Sequence, residues 1–268
     1  MTTEPAGPLS SDELEKENRR LTRRLERLEA NVRRLEEFQD SNSTLLSRLL
    51  TELEDERARS ERLLRNVLPQ RIIDRLEAGE TTIADRHAAV TVLFGDIVGF
   101  TETSARLPPA VLIEEMNQLF SGFDAICDGT DVEKIKTHGD AYLVIGGLDG
   151  GADHAAAVAE AALQMVEQVE ARRGIGADWR IRIGLHGGPA VAGVIGTTKF
   201  AYDVWGDTVN VAARLEEVSE PNRIHVSGTL AAQLEDRYTL SPRGTVEVKG
   251  KGLVETCFLI GRRDDLPR

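Results

Sequence analysis

Two aspartates stand where strand-like runs meet turns: Asp96 directly after Val92-Leu93-Phe94-Gly95, and Asp140 directly after His138-Gly139. A carboxylate at such a half-buried position is costly unless something compensates its charge. Two of them, with no cysteine or clustered histidine nearby, suit Mg2+ or Mn2+, hard ions that take oxygen ligands and keep positions open for phosphates. The residues alone also allow a plainer reading, a pair of turn aspartates. Other chemistries find less support. His87, His154, His186 and His225 are scattered without a zinc spacing, and His138 reads as a turn residue. Gly193, Gly196 and Lys199 do not make a phosphate loop, because the GxxxxGK[ST] pattern occurs nowhere in the chain. Cys127 and Cys257 both lie in apolar surroundings and are expected to be reduced core thiols.

The elements that must position these groups begin near residue 87. An apolar run at 88–94 predicts a buried strand, 109–127 an amphipathic helix, and 132–137 with 141–145 a hairpin around His138-Gly139. Residues 153–172 predict an Ala-rich helix. Residues 179–185 and 190–195 predict a second hairpin across Gly187-Gly188, followed by a helix at 208–218 and strands at 223–226 and 256–260. Strand pairs mixed with helices indicate an α+β domain with a mainly antiparallel sheet and flanking helices.

Ahead of this domain, residues 11–65 contain neither Gly nor Pro and are crowded with Glu, Arg and Leu. Leu14, Leu21, Leu28, Leu35, Leu49 and Leu63 share one heptad position, and Leu25, Val32, Leu46, Leu53 and Val67 share the other, which is the seam of a coiled coil. Asn18, Gln39, Asn42, Glu56 and Ser60 interrupt that seam with polar groups that can fix register. Pro69 ends the run, a short helix follows over 70–78, and Gly79 closes it as a C-cap. The expected order is a disordered N-terminus at 1–10, a coiled-coil dimerisation helix at 11–65, a connector or transducer element at 66–86, the globular domain at 87–261 and a tail at 262–268.

The chain has 268 residues, 33 Lys and Arg against 45 Asp and Glu, and a net charge of −12, which argues against a surface dedicated to nucleic acid or anionic lipid. Aromatic residues make up 4%, so the core must be largely aliphatic. No run approaches the roughly 18 apolar residues that span a bilayer, and the N-terminus has no apolar signal core, so the chain is expected to be cytoplasmic without a membrane segment.

Three segments identify a family. Phe94-Gly95-Asp96-Ile97-Val98-Gly99-Phe100-Thr101, then Glu133-Lys134-Ile135-Lys136-Thr137-His138-Gly139-Asp140-Ala141-Tyr142, then Tyr202-Asp203-Val204-Trp205-Gly206-Asp207-Thr208-Val209-Asn210-Val211-Ala212-Ala213-Arg214 closely resemble, in order and spacing, the class III nucleotidyl cyclases. The resemblance implies a ferredoxin-like core over 87–261 and an adenylate cyclase that converts ATP to 3′,5′-cyclic AMP and pyrophosphate with two divalent cations, Mg2+ or Mn2+. Asp96 and Asp140 match the metal-binding aspartates, with the Ile97 carbonyl as a backbone ligand. Lys136 and Asp203 match the pair that reads the purine: the lysine donates to adenine N1 and the aspartate accepts from the 6-amino group, whereas guanine presents the opposite pattern. Asn210 and Arg214 match the residues that orient the ribose and meet charge on the α-phosphate. Their spacing of four puts both on one helix face, and a guanidinium can bond two phosphate oxygens without losing its charge. Lys249 resembles the γ-phosphate lysine. Where some relatives carry a further phosphate-binding Arg before Asp203, this chain offers Lys199. Outside the motif context the same residues read as a solvated strand charge (Lys136), a turn residue (Asp203), a helix-surface amide (Asn210) and half of an ion pair with Glu216 or Glu217 (Arg214). The family further implies a homodimer in which each site takes its metal ligands from one chain and its purine and transition-state groups from the other. The rival readings are a guanylate cyclase and a catalytically silent signalling module with the same fold.

Overall fold

A computed structural model describes residues 11–174, 176–196, 198–248 and 251–263. The expected N-terminal tail (1–10) and most of the expected C-terminal tail (264–268) lie outside the described residues. The chain divides into two compact units, Met1–Pro69 and Gln70–Arg268.

The first unit is one helix, α1 (Ser11–Arg65), of 55 residues. It shelters none of its apolar seam: exposure runs from 51% at Leu49 to 66% at Leu53. Charged flanks make pairs such as Arg19–Glu15 and Arg57–Glu61, both 2.9 Å, each adding only about 0.3–0.5 kcal/mol. A helix this long with an exposed 3.5-residue stripe fits a coiled coil.

In the second unit α2 (Gln70–Glu77) buries Ile72 and Ile73, and Gly79 at φ 86° ends it in the left-handed conformation that a C-cap requires. Then follow β1 (Ala84–Ile97), α3 (Phe100–Ser104), α4 (Pro109–Thr130), β2 (Glu133–His138), β3 (Ala141–Gly146) and α5 (His154–Ala171). After them come β4 (Ile181–Ile195), β5 (Ala201–Trp205), α6 (Asp207–Glu217), β6 (Arg223–Ser227), α7 (Gly228–Leu234), β7 (Tyr238–Val248) and β8 (Gly252–Arg262). The strands form one sheet in the order β2-β3-β1-β4-β6-β8-β7, with β5 also paired to β4. Every pairing is antiparallel except β4 with β6. Leu119 and Phe123 of α4 and Val158, Ala162 and Met165 of α5 pack on Leu93, Val144, Ile183 and Leu185 of the sheet. The core is mainly aliphatic, as the composition requires, with aromatic contacts in which Phe123 and Phe120 lie 5.3 and 5.4 Å from Tyr142 and Phe100 lies 6.1 Å from Trp179. Both cysteines are free and buried. Among the described residues no helix is long and apolar enough to cross a membrane.

One expectation fails. Gly187-Gly188 is not a hairpin turn: β4 runs straight through it, pairing Gly187 with Thr91 and Gly188 with Val90 of β1. The glycines answer a different demand. A Cβ on Gly188 would stand 2.7 Å from Thr208 Oγ1, and one on Gly184 would meet the α6 backbone at 2.2 Å, at Ala212 O. They let α6 lie directly against the strand, which is what places its side chains.

Candidate active site

Register assembles one end of the site. Asp96 of β1 sits opposite Ala141 of β3 on one side and Arg182 of β4 on the other, so Asp140, one residue before β3, comes beside Asp96. Burial and then the Asp96 charge push the Asp140 carboxyl above its ordinary value. Arg182 Nη2 donates to Asp96 Oδ2 at 2.8 Å. Arg182 Nε lies 3.1 Å from Glu216 Oε1 of α6, but the two are misaligned for a hydrogen bond and both atoms lack a partner. Glu216 is 5% exposed; burial first, and the Asp96 charge second, push its carboxyl up to about 7. Three carboxylates thus face one guanidinium, an excess of negative charge that favours a further cation. Among the described residues no three His, Cys, Asp or Glu side chains gather as a metal cage, so a cation held by Asp96 and Asp140 would keep positions free for other oxygens. Ile97, the last residue of β1, is 2% exposed and pairs with Ile181, and the chain turns away at Val98, whose N–H donates to Arg180 O at 2.8 Å.

Lys136 and Asp203 come together although 67 residues separate them. Lys136 Nζ donates to Asp203 Oδ2 at 2.5 Å, and Asp203 Oδ1 accepts from the Val204 N–H at 2.8 Å. Lys136 follows a register shift in β2 and is more open than the aspartate, with side-chain exposures of 44% and 18%. A cationic donor and an anionic acceptor therefore stand side by side near the surface.

Helix α6 divides the remaining groups between its two faces. Thr208, Val211, Ala212, Leu215 and Glu216 turn inward, while Asn210 and Arg214 are exposed. Arg214 pairs with Glu217, not with Glu216. A spacing of three keeps 217 on the face of 214, and a spacing of two carries 216 away from it. Lys249 lies outside the described residues, while Lys251, in the turn after β7, pairs with Asp207 at the start of α6.

Sequence reasoning missed Arg182 and the inward role of Glu216. Helical spacing carried a signal for Glu216, but nothing local marked Arg182, whose partner arrives only through β1–β4 register. Two histidines are built into the core, His186 and His225. His186 Nδ1 meets Ser227 Oγ at 2.7 Å. His225 Nδ1 lies 2.9 Å from Leu215 O, which can only accept, so that nitrogen carries the proton, while Arg243 Nη1 stands 3.0 and 3.1 Å from the two ring nitrogens.

The family model for the adenylate and guanylate cyclase catalytic domain matches residues 82–261. An adenylate cyclase of Mycobacterium tuberculosis is 44% identical over 216 residues, which is 79% of this chain and 48% of that protein. Guanylate cyclase D of Mus musculus is 41% identical over 243 residues, 88% of this chain and 22% of that one. The chain therefore spans about half the length of the first relative and about a fifth of the second. Among solved structures, the guanylate cyclase domain of RhGC from Catenaria anguillulae in complex with GTP matches at a TM-score of 0.65 and 35% identity, covering 67% of this chain and all of that domain.

Proposed function

The chain belongs to the adenylate and guanylate cyclase catalytic domain family, the class III nucleotidyl cyclases, and we propose that it is an adenylate cyclase, converting ATP to 3′,5′-cyclic AMP and pyrophosphate at sites shared between two copies. The observation that carries the choice of substrate is the Lys136–Asp203 pair. A donor beside an acceptor complements the adenine edge, which offers an acceptor at N1 next to a donor at the 6-amino group; guanine offers the reverse. Guanylate cyclases are almost as similar to the chain as adenylate cyclases are, so the choice rests on these two residues and not on overall identity.

Class III cyclase domains use divalent metals, and the crowded, hard-oxygen pair of Asp96 and Asp140 fits such ions, Mg2+ or Mn2+, with the Ile97 carbonyl as a third ligand. Bound there, they would lower the pKa of the ribose 3′-hydroxyl and neutralise the phosphates. The chain's own residues do the rest. Lys136 and Asp203 hold the base, Asn210 orients the ribose, Arg214 places a fixed positive fork against the α-phosphate, and Lys249 meets the γ-phosphate. Two features support a shared site. Asn210 and Arg214 stand on the outer face of α6 while Glu216, which approaches Arg182, stands on the inner face, so the two residue sets of one chain do not face each other across the helix. Val191, Ile195, Phe200 and Trp205 also leave an exposed apolar area on β4–β5 and the segment between them, which suits a second copy.

The test is nucleotide turnover by the purified chain with Mn2+ or Mg2+, offering ATP and GTP separately and identifying the cyclic product. Cyclic AMP in clear excess supports the reading, and replacing Lys136 by Glu and Asp203 by Cys should then cut ATP use by about tenfold or more, since the site's polar groups are left unpaired. Preferred GTP turnover would make the chain a guanylate cyclase, and no turnover would make it a silent module.

A further inference from the structure

We infer that Arg71, on the short helix α2, is a positioning residue for base recognition: it ties together the two strands that carry Lys136 and Asp203 and holds the spacing at which that pair meets the base. The inference rests on the reading that Lys136 and Asp203 grip the purine.

The sheet itself does not couple these strands. β2 is an end strand whose ladder partner is β3, β5 pairs with β4, and β3 and β1 lie between them in the strand order. Among the described residues two polar links cross directly. One is the Lys136–Asp203 pair. The other runs through Arg71, whose Nη1 and Nη2 donate to Glu133 Oε2 and Oε1 at 2.5 and 3.0 Å, while Nη2 also donates to Tyr202 Oη at 2.6 Å. Glu133 opens β2 three residues before Lys136, and Tyr202 directly precedes Asp203 on β5. The guanidinium also stands over the Tyr202 ring, 5.4 Å from its centroid.

The two links cannot respond alike to substrate. An ammonium has three N–H donors and a carboxylate has spare lone pairs, so Lys136 can reach adenine N1 and Asp203 the 6-amino group while they still touch, but each then shares its hydrogen bonding with the base and the pair closes the gap less firmly than in the free protein. The Arg71 link involves no group that the base needs, and it persists. Its geometry suits a spacer. A bidentate guanidinium–carboxylate fork fixes direction as well as distance, and Tyr202 is 7% exposed, so its hydroxyl has little freedom to follow another partner. The β2 register shift between Lys134 and Lys136 makes such a brace useful, because the ladder alone leaves Lys136 beyond an irregular step. Helix α2 is itself anchored: Arg75, four residues after Arg71 and so on the same helix face, donates to both oxygens of Glu80 at 2.7 Å and pairs with Asp85 of β1.

The test uses the full chain with Mn2+ and compares Arg71→Met, Arg71→Lys, Glu133→Gln and the double variant Arg71→Met/Glu133→Gln, with kcat and KM measured for ATP and for GTP. Arg71→Met should raise KM for ATP about five- to twentyfold while kcat stays within about threefold, and should narrow the preference for ATP over GTP. Lysine should not rescue it, since an ammonium cannot replace the fork. Glu133→Gln should act in the same direction, and the double variant should be no worse than the poorer single, because both remove one link. Tyr202→Phe, which removes only the hydroxyl acceptor and keeps the ring, should give a smaller shift of the same kind and stands in if the Arg71 variants unfold. An unchanged KM, or a fall in kcat at constant KM and constant base preference, would overturn the inference, the second outcome meaning that Arg71 merely keeps the domain folded. The Lys136→Glu/Asp203→Cys variant run alongside separates the two claims. If it changes ATP use while the Arg71 set does not, the brace fails and base reading stands; if it too leaves ATP use unchanged, base reading itself fails.

Discussion

The long helix and the globular unit are incomplete in different senses. α1 is regular from Ser11 to Arg65 yet leaves its whole apolar seam in solvent, so as a fold it lacks a partner. Residues 70–263 enclose a continuous core under α4 and α5, but Asn210 and Arg214 stand on the outer face of α6, away from Glu216 on its inner face, which approaches Arg182 beside Asp96. A second copy would remedy both deficits, covering the seam in one region and bringing Asn210 and Arg214 to Asp96 and Asp140 in the other. The difference teaches that pairing should matter to the first region's stability and to the second region's chemistry.

The largest expected effect tests the second half of that statement. Asp96→Ala and Asn210→Ala should each lower kcat about 100-fold or more, since each removes an interaction made to developing charge. Co-expressed, the two variants should recover about a quarter of normal activity, because half of the random dimers are mixed and each mixed dimer keeps one intact site. Activity that stays at the level of the single variants would mean that one chain holds its complete site, and the comparison would collapse.

A smaller effect tests the first half. Removing residues 1–64 should weaken self-association about tenfold or more, because the remaining residues still carry a net charge of −9 that opposes contact at long range and the seam no longer offsets it. Sedimentation of both lengths, with specific activity followed across a dilution series, reads this directly. Equal dimer affinity and equal concentration dependence would leave the coil without a pairing role.

These regions also differed in how well sequence disclosed them. α1 follows from composition and a local period, both visible within any 20-residue window. The globular unit was legible wherever an element is self-contained: β3 starts where expected at Ala141, and α4 and α5 carry their own amphipathic pattern. It was obscure wherever a distant segment decides. Gly187-Gly188 read as a turn because nothing local says that a helix twenty residues on must lie against it. β5, only five residues long and bearing Asp203 at its centre, shows its strand character only in pairing with β4. β7 hides behind Pro242 and Gly244, which it accommodates at a register shift. Within the site, the motifs gave reason to look for Asp96 with Asp140 and for Lys136 with Asp203, which the fold does bring together, while Arg182, Glu216 and Arg71 were not legible, since each is defined by a partner that the fold brings from 34 or more residues away.

The smallest effect asks whether the globular unit is as self-sufficient in stability as its core suggests. His225 is fully buried; burial, and after it the neighbouring Arg243 charge, lower its pKa to about 4, although the Leu215 carbonyl opposes them. An unfolded histidine titrates near about 6.5, so below that pH the unfolded chain takes up a proton that the folded chain refuses. Stability from this group is therefore present above about pH 6.5 and is lost as pH falls toward about 4. Other groups titrate across the same window, so the informative quantity is a difference between two proteins. His225→Asn should be less stable than the parent at pH 7, because Leu215 O and Arg243 lose well-placed partners, and that gap should shrink by about 1–2 kcal/mol by pH 5, where only the parent is penalised for keeping its imidazole neutral. Urea unfolding at the two pH values measures it. α1 contains no histidine, so the same shrinkage should appear in the chain lacking residues 1–64. A gap that shrinks in the full chain but not in the shortened one would show that the globular unit depends on the helix for its folding and not only for its chemistry.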